Sequence, residues 1–276
     1  FLVLSGTDIL IRHFTLPMLS EDELYQNILN EMTGYLPVDP EKYYIDYKIV
    51  ERVKEDNAEM YNVLVTTVRK RIVNQYKNVL GKAGFRLAVV DTGENAREKL
   101  LKHLAVNDKS FNICGGICIL DLGTKFTRAS IYHNGNFFIS NVIKKSGQLL
   151  TEVIARNSGK DILSSETMKR EMDFLNQPHP NAELKSAVTH EIDSLLYEVA
   201  RLFEYYRNRA KSAVHTVFLS GGGALMPGLV EYVGRHLGLP VYLSSMLLPA
   251  ARSNNTVDHR GFTLLLNAYA ATLREE

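Results

Sequence analysis

ICILDLGTKFTRASIYHNGNF, residues 117–137, decides how the rest of the chain is read. An apolar run ends in Asp121. Gly123 and Thr124 follow, then a second strand-like run, then the polar turn His133–Asn136. Asn134-Gly135 between alternating residues is a strong hairpin signal. A hairpin does not require an acid, a glycine and a hydroxyl where its first strand ends. A phosphate gives those residue types a purpose. Gly123 permits close backbone approach. Amides around a tight turn cradle phosphate oxygens, and Thr124 adds a hydroxyl donor. Bare phosphate repels Asp121, so its use there is toward Mg2+ or a metal-bound water. A hairpin with a turn-capping aspartate is the competing reading.

LSGGGALMPGL, residues 219–229, follows the strand-like VHTVFLS. Three consecutive glycines cost conformational entropy, and a strand-to-helix connection usually needs one. Gly221, Gly222 and Gly223 allow a flat surface to meet a purine or ribose, or aim a helix N-terminus at an anion. Ser220 is a minor donor candidate. No Gly-Lys-Ser/Thr follows, so this is not a Walker-type loop, and the dinucleotide spacing is absent. A tight turn beneath a packed helix is the alternative.

The 276 residues, 45% of them hydrophobic, suffice for one large or two smaller domains. A net charge of +1 offers no overall field for nucleic acid or an anionic membrane, which leaves only a local patch. No run approaches ~18 apolar residues, and no signal peptide is visible. Cys114 and Cys118 are too close for a disulfide framework and complete no zinc set, so they read as small hydrophobes in a reducing compartment.

Periodicity predicts the other elements. FLVL and ILIRHFTL flank Ser5–Asp8, which predicts a hairpin over residues 1–16. Ser20 with Glu23 forms a capping box, and Leu19 with Leu24 a staple. The helix they open presents Leu24, Ile28, Leu29 and Met32 and ends near Gly34. Alternation at Tyr43, Ile45, Tyr47 and Ile49 predicts a strand, VKEDNAE (53–59) a turn, and 61–68 a second strand. A helix over 70–80 and a strand over 87–90 follow. Helix 94–105 precedes strands at 117–121, 126–132 and 137–143. A helix starts after Gly147, a short one covers about 165–175, and Val188, Ile192, Leu195, Leu196, Val199, Leu202 and Tyr206 predict a long helix over 184–210. Pro227-Gly228 opens another, LPVYLS is a short strand, and 261–273 is an apolar helix.

The two turns lie about a hundred residues apart, with a three-strand unit, a polar insertion and a long helix between them. That pairing resembles the actin, Hsp70 and sugar-kinase superfamily. Asp121-Leu122-Gly123-Thr124 resembles its second phosphate loop. Ser220-Gly221-Gly222-Gly223-Ala224, trailed by Pro227-Gly228-Leu229, resembles its adenosine loop. Residues 9–50 and 61–91 are similar to the PilM family, actin-like proteins of type IV pilus assembly. The match over 9–50 separates the chain from Hsp70 and sugar kinases and leans away from FtsA.

The resemblance implies an α/β, actin-like ATPase (ribonuclease H-like) fold. Residues 1–88 would form an FtsA-like 1C subdomain and 89–113 part of subdomain 1A. Residues 114–155 and 184–256 would form 2A, 156–183 would form 2B, and 257–276 a C-terminal helix returning to 1A. The family's first phosphate loop would precede residue 1, so the N-terminal strands of 1A are expected to be missing from this sequence. The resemblance implies ATP bound through Asp121, Gly123, Thr124, Lys125, Gly221, Gly222, Gly223 and Ala224, with Mg2+ at Asp121. Ile162–Lys169 resembles the family's short helix near the nucleotide, which puts Glu166 and Lys169 by the adenosine; Ser165 stands where alanine is usual. It further implies a cytoplasmic scaffold on the inner face of the inner membrane. That scaffold binds the N-terminal peptide of a PilN-like protein between 1A and 1C, with Tyr35, Leu36 and Pro37 in the peptide-associated region. Pilus motor ATPases and self-association are further contacts; nucleic acid is not.

No catalytic base stands out. Gln148 reads as a first-turn residue, His133 as a turn residue, His190 as a surface residue, and Asp258 and His259 as a solvated link. ATP binding with weak or absent hydrolysis is expected. An FtsA-like filament would favour an amphipathic tail, whereas AATLREE is short and acidic. An adaptor that binds no nucleotide is the other alternative; three glycines argue against it, because packing alone does not need three.

Overall fold

The computed structural model describes residues 1–6, 8–36, 39–55, 58–107, 111–248 and 258–273. The chain divides into two compact units, Phe1–Gly93 and Glu94–Glu276.

The first unit holds, in chain order, β1 (Leu2–Leu4), β2 (Ile9–Pro17), α1 (Glu21–Thr33), β3 (Tyr43–Glu55), β4 (Ala58–Arg69), α2 (Lys70–Lys82) and β5 (Val90–Thr92). β2, β4 and β3 form an antiparallel sheet in that order. The expected hairpin over residues 1–16 does not form. β1 pairs in parallel with β5, and β2 pairs with β4 from Ile9↔Val68 to Pro17↔Met60. A nine-residue strand finds more backbone partners in β4 than three-residue β1 can supply. β3 and β4 also run further than the alternation suggested: Val53–Glu55 and Ala58–Glu59 are strand, not turn. β5 starts at Val90, later than expected.

α1 begins where expected. The Glu23 carboxylate accepts from the Ser20 amide at 3.1 Å and the Ser20 hydroxyl at 2.6 Å. The helix presses Leu24, Ile28 and Met32 against Leu16, Val63 and Val65 of the sheet. This is the one-sided burial expected of an antiparallel sheet.

The second unit contains α3 (Gly93–Asn107, from Glu94 onward), β6 (Gly116–Leu122), β7 (Thr127–His133), β8 (Asn136–Ile143), α4 (Gly147–Ser158) and α5 (Ile162–Glu171). It continues with α6 (Ala182–Ala210), β9 (Val214–Ser220), α7 (Leu229–Leu237), β10 (Val241–Leu243) and α8 (His259–Ala270). Its sheet has the order β10-β9-β6-β7-β8. β10, β9 and β6 are parallel, and β7 and β8 add an antiparallel meander. β6 is almost wholly buried, as a parallel strand covered on both faces must be. Asn134 and Gly135 have φ of 50° and 78°, so the Asn-Gly turn takes the left-handed geometry its sequence favours.

The 29 residues of α6 make a rod ~44 Å long. Val188, Ile192, Leu195, Leu196, Val199, Leu202 and Tyr206 pack as one stripe on Cys118, Leu120, Ala129, Ile131, Val217 and Leu219. Strand alternation sends Ser130 and Tyr132 to the opposite face, where α3 lies. Gly116 is required where α6 meets the sheet: a Cβ there would lie 2.7 Å from the Tyr206 ring and 2.9 Å from the Ala213 carbonyl oxygen. Cys118 is a core residue as expected, but Cys114, before β6 begins, is exposed.

Ile28 is fully buried in the first unit's core. Ile28→Ala is expected to lower stability by about 2–5 kcal/mol in urea unfolding; a loss below about 1 kcal/mol would contradict this packing.

Candidate functional site

β6 and β9 are adjacent and parallel, with Leu120 opposite Leu219 and Asp121 opposite Ser220. Both glycine turns therefore leave the sheet side by side, at the carboxyl ends of neighbouring strands. Ligands of open α/β sheets bind at such ends.

The first turn closes when the Gly123 amide donates to the Phe126 carbonyl at 3.1 Å. A Cβ on Gly123 would sit 2.8 Å from that oxygen. Thr124 and Lys125 are exposed at its tip. The start of α4 braces the turn from behind. Gly147 N–H donates to Gly123 O at 2.9 Å, and Gln148 N–H to Thr124 O at 3.1 Å. Leu149 N–H donates to the Ser146 hydroxyl at 3.1 Å. The first amides of α4 thus serve the turn and the cap, not an anion.

The second turn packs on the first. Gly221 has φ of 83°, and its Cβ would lie 2.7 Å from both Asp121 Oδ1 and Leu122 O. A Cβ on Gly223 would lie 2.8 Å from Leu122 Cβ. Gly222 differs: it is exposed, and a Cβ there would meet only Leu264 at 3.9 Å. Two of the three glycines therefore answer to packing, and Gly222 does not. Ala224 is buried. Beneath the turns, Leu122, Leu150, Gly223 and Met226 help to line a cavity of about 20 Å³, room for about one water. That cavity is too small for a nucleotide; on the solvent side Gly222, Thr124 and Lys125 lie open.

Asp121 is part-buried and held from inside. Its Oδ2 accepts from Asn267 of α8 at 3.3 Å and lies 3.6 Å from Arg97 Nη1. Arg97, on α3, is buried. Its guanidinium donates to Tyr132 Oη (3.0 Å), Ser130 Oγ (3.1 Å) and Asn267 Oδ1 (3.1 Å). Glu94 lies 3.8 Å away and accepts from Arg128 at 2.8 Å. Burial works against the Arg97 charge, but Tyr132, Glu94 and Asp121 outweigh it and raise its pKa. Burial also pushes the Tyr132 hydroxyl up. Sequence reading missed this cluster. Its signal was Glu94, Arg97 and Glu98 at i, i+3 and i+4, one helix face beside Leu100 and Leu101.

The described residues contain no group of three or more His, Cys, Asp or Glu able to hold an ion. The Asp121 carboxylate by itself does not build a resident magnesium site. It does fit an ion carried in by phosphate, since Mg2+ commonly takes one carboxylate with phosphate and water.

Glu166 and Lys169 lie on α5 behind the first turn. The buried Lys169 ammonium donates to Gly147 O (2.8 Å), Thr151 Oγ1 (2.8 Å) and Glu166 Oε2 (2.6 Å). Its three protons thus fasten α5 to the start of α4. Burial would raise the Glu166 carboxyl, but hydrogen bonds from Lys169, Thr151 and Arg170 prevail and hold it at about 2.

The other singled-out residues have structural partners. Gln148 bonds Glu152 at 2.9 Å, and His190 is exposed. His133 is no loose turn residue: it ends β7, with Nδ1 2.6 Å from Tyr206 Oη. Asp258 and His259 are exposed, and Asp258 also caps α8 through the Arg260 amide at 2.9 Å. In the first unit, Tyr35 is 52% exposed, packs edge-on to Phe14 at 5.7 Å and lies 5.6 Å from the Arg12 guanidinium. Leu36 packs on the core under α1. Pro37 lies outside the described residues.

Two measurements test this geometry. Gly221→Ala and Gly223→Ala should each destabilise the protein by about 1–3 kcal/mol through backbone collision, whereas Gly222→Ala should change stability by less than about 0.5 kcal/mol. Equal effects in thermal melts would contradict the turn-on-turn packing. Glu166 has a folded pKa below its unfolded value. Its stabilisation is therefore full above the unfolded value near 4.5 and is lost as pH falls toward 2. Glu166→Gln should destabilise at pH 7 and have little effect near pH 2; a pH-independent loss would contradict the assignment.

Comparison with known proteins agrees with this fold. The chain is similar to a solved protein of the PilM-PilN type IV pilus biogenesis complex, at 20% identity and a TM-score of 0.78 over 99% of this chain and 79% of that one. It is also similar to MreB5 of Spiroplasma citri bound to AMPPNP, at 17% identity and a TM-score of 0.52 over 75% of this chain and 64% of that one. The ADP-bound form gives 16% identity and a TM-score of 0.51 over 76% and 69%. At such identities the likeness establishes the fold, that of the actin-like ATPases. The family described as Type IV pilus assembly protein PilM matches residues 1–270. With nearly the whole sequence matched, the chain belongs to the PilM family of type IV pilus assembly proteins.

Proposed function

We propose that this protein is a nucleotide-binding scaffold of type IV pilus assembly that engages the N-terminal peptide of a PilN-like inner-membrane partner. Gly222 carries the nucleotide half of this reading. It is the one glycine of its turn with no packing need, and it is exposed beside a second glycine turn. A base or ribose rests against the exposed Gly222, while Thr124 and Lys125 at the tip of the first turn meet the phosphates with hydroxyl and ammonium. Mg2+ arrives with the nucleotide, neutralises phosphate charge and meets Asp121. Glu166 and Lys169 act by setting the start of α4 behind the phosphate turn. AMPPNP and ADP in MreB5, a protein of the same fold, support the ligand class.

The partner half rests on family membership and on the relative solved in the PilM-PilN complex. Residues 1–88 then serve as the 1C subdomain, and the exposed Tyr35 ring with Arg12 and Phe14 offers an aromatic rim to an extended peptide. Among the described residues no helix is long and apolar enough to cross a membrane. In this reading the partner supplies the membrane link, and no residue is assigned as a base for hydrolysis.

Calorimetric titration with ATP and Mg2+ tests the nucleotide half. The protein is expected to bind. Gly222→Leu should weaken binding at least tenfold while leaving the melting midpoint in place. Unchanged affinity in that variant, or no binding by the parent, would overturn the assignment.

A further inference from the structure

Residues 69–90, RKRIVNQYKNVLGKAGFRLAVV, contain Arg69, Lys70, Arg71, Lys77, Lys82 and Arg86 and no Asp or Glu. The segment carries +6 in a chain of net charge +1, so all other residues together, +1 less +6, carry −5. Neutrality of the whole conceals a strongly cationic stretch. Among the described residues, no carboxylate lies within ion-pair distance of Arg71, Lys77, Lys82 or Arg86.

The same stretch exposes apolar side chains. Of the residues in α2 only Val73 is buried. Tyr76 is 47% exposed, Val79 65%, and Phe85, just past the helix, 66%. At about 100° per residue, Ile72, Val73, Tyr76, Val79 and Leu80 form one apolar arc. Lys77 borders the arc on one side and Lys82 on the other. Ile72 and Val73 anchor this arc to the unit's own core, which leaves Tyr76 and Val79 exposed between the cations, as in a helix lying in a lipid headgroup layer.

The surroundings favour a bilayer over an acidic protein. An acidic segment would pair with the cations but leave Val79 and Phe85 in water. The hollow lined by Glu41, Lys42, Lys70 and Arg71 lies on the opposite face of α2 and is not part of this surface. A headgroup layer takes both kinds of group at once, the apolar side chains toward the acyl boundary and the cations on phosphate.

We propose that α2 and the turn after it form a contact surface for an anionic lipid bilayer. Tyr76, Val79 and Phe85 enter the headgroup region, and Lys77, Lys82 and Arg86 meet lipid phosphates. The contact is direct and independent of both the nucleotide and the peptide partner.

The test is co-sedimentation of the full chain with vesicles of equimolar phosphatidylglycerol and phosphatidylcholine, against phosphatidylcholine alone. Binding to the anionic vesicles alone is expected, falling as salt rises from about 0.05 to about 0.5 M and the screening length shortens. Each cation near such a surface contributes about fivefold, so Lys77→Glu/Lys82→Glu should weaken partitioning at least about 25-fold. Val79→Ser/Phe85→Ser should weaken it with an unchanged salt dependence. These side chains are exposed, so matched circular dichroism and melting midpoints are expected and exclude misfolding. Equal binding to both vesicle types, no binding to either, or full binding by the lysine variant would overturn the proposal. Capture of soluble poly-glutamate without vesicle binding would assign the face to an acidic protein and overturn it equally.

Discussion

Arg97 brings a full positive charge into the interior of the second unit and there joins four elements. Its guanidinium reaches Ser130 and Tyr132 of β7, Asn267 of α8 and the Asp121 carboxylate at the end of β6, all from a seat on α3. A buried ion is costly unless every donor has a partner, and removing one partner from such a set costs about 3–5 kcal/mol. The arrangement is thus all-or-none: α3, α8 and the strand ends must be in place together. Asp121 ends the strand beside the phosphate-type turn, so its geometry is set from within the core.

A second constraint is steric. Gly221 and Gly223 lie against Leu122 so closely that a single added carbon on either would collide. Gly221 also donates to the Thr263 carbonyl of α8 at 3.0 Å. The two turns and α8 are therefore one packed body. In the proposed reading, a nucleotide that touches Gly222 and Thr124 bears on a preassembled surface, and ordering entropy takes little from its affinity.

Much of this was legible in the sequence, where signals are local. The stripe from Val188 to Tyr206 fixes α6, and Asn134-Gly135 fixes the β7–β8 turn. Asp121, Gly123 and the three glycines mark both site turns. What escaped is what depends on distant partners. The strand at the N-terminus reads as half of a hairpin, yet its partner, β5, lies almost ninety residues on. Nothing local to α3 marks Arg97 as buried, because its burial depends on hydroxyls of β7, an amide of α8 and a carboxylate of β6. Which of three glycines is free of packing likewise depends on Leu122, nearly a hundred residues earlier. The cations of α2 were hidden by a whole-chain net charge near zero.

The central claim is that the paired glycine turns receive a nucleotide. Amide hydrogen exchange of the full chain, with and without AMPPNP and Mg2+, reads those turns directly. Slowed exchange confined to about residues 122–126 and 221–225 is the predicted result. Unchanged exchange at both turns under saturating nucleotide would contradict the account.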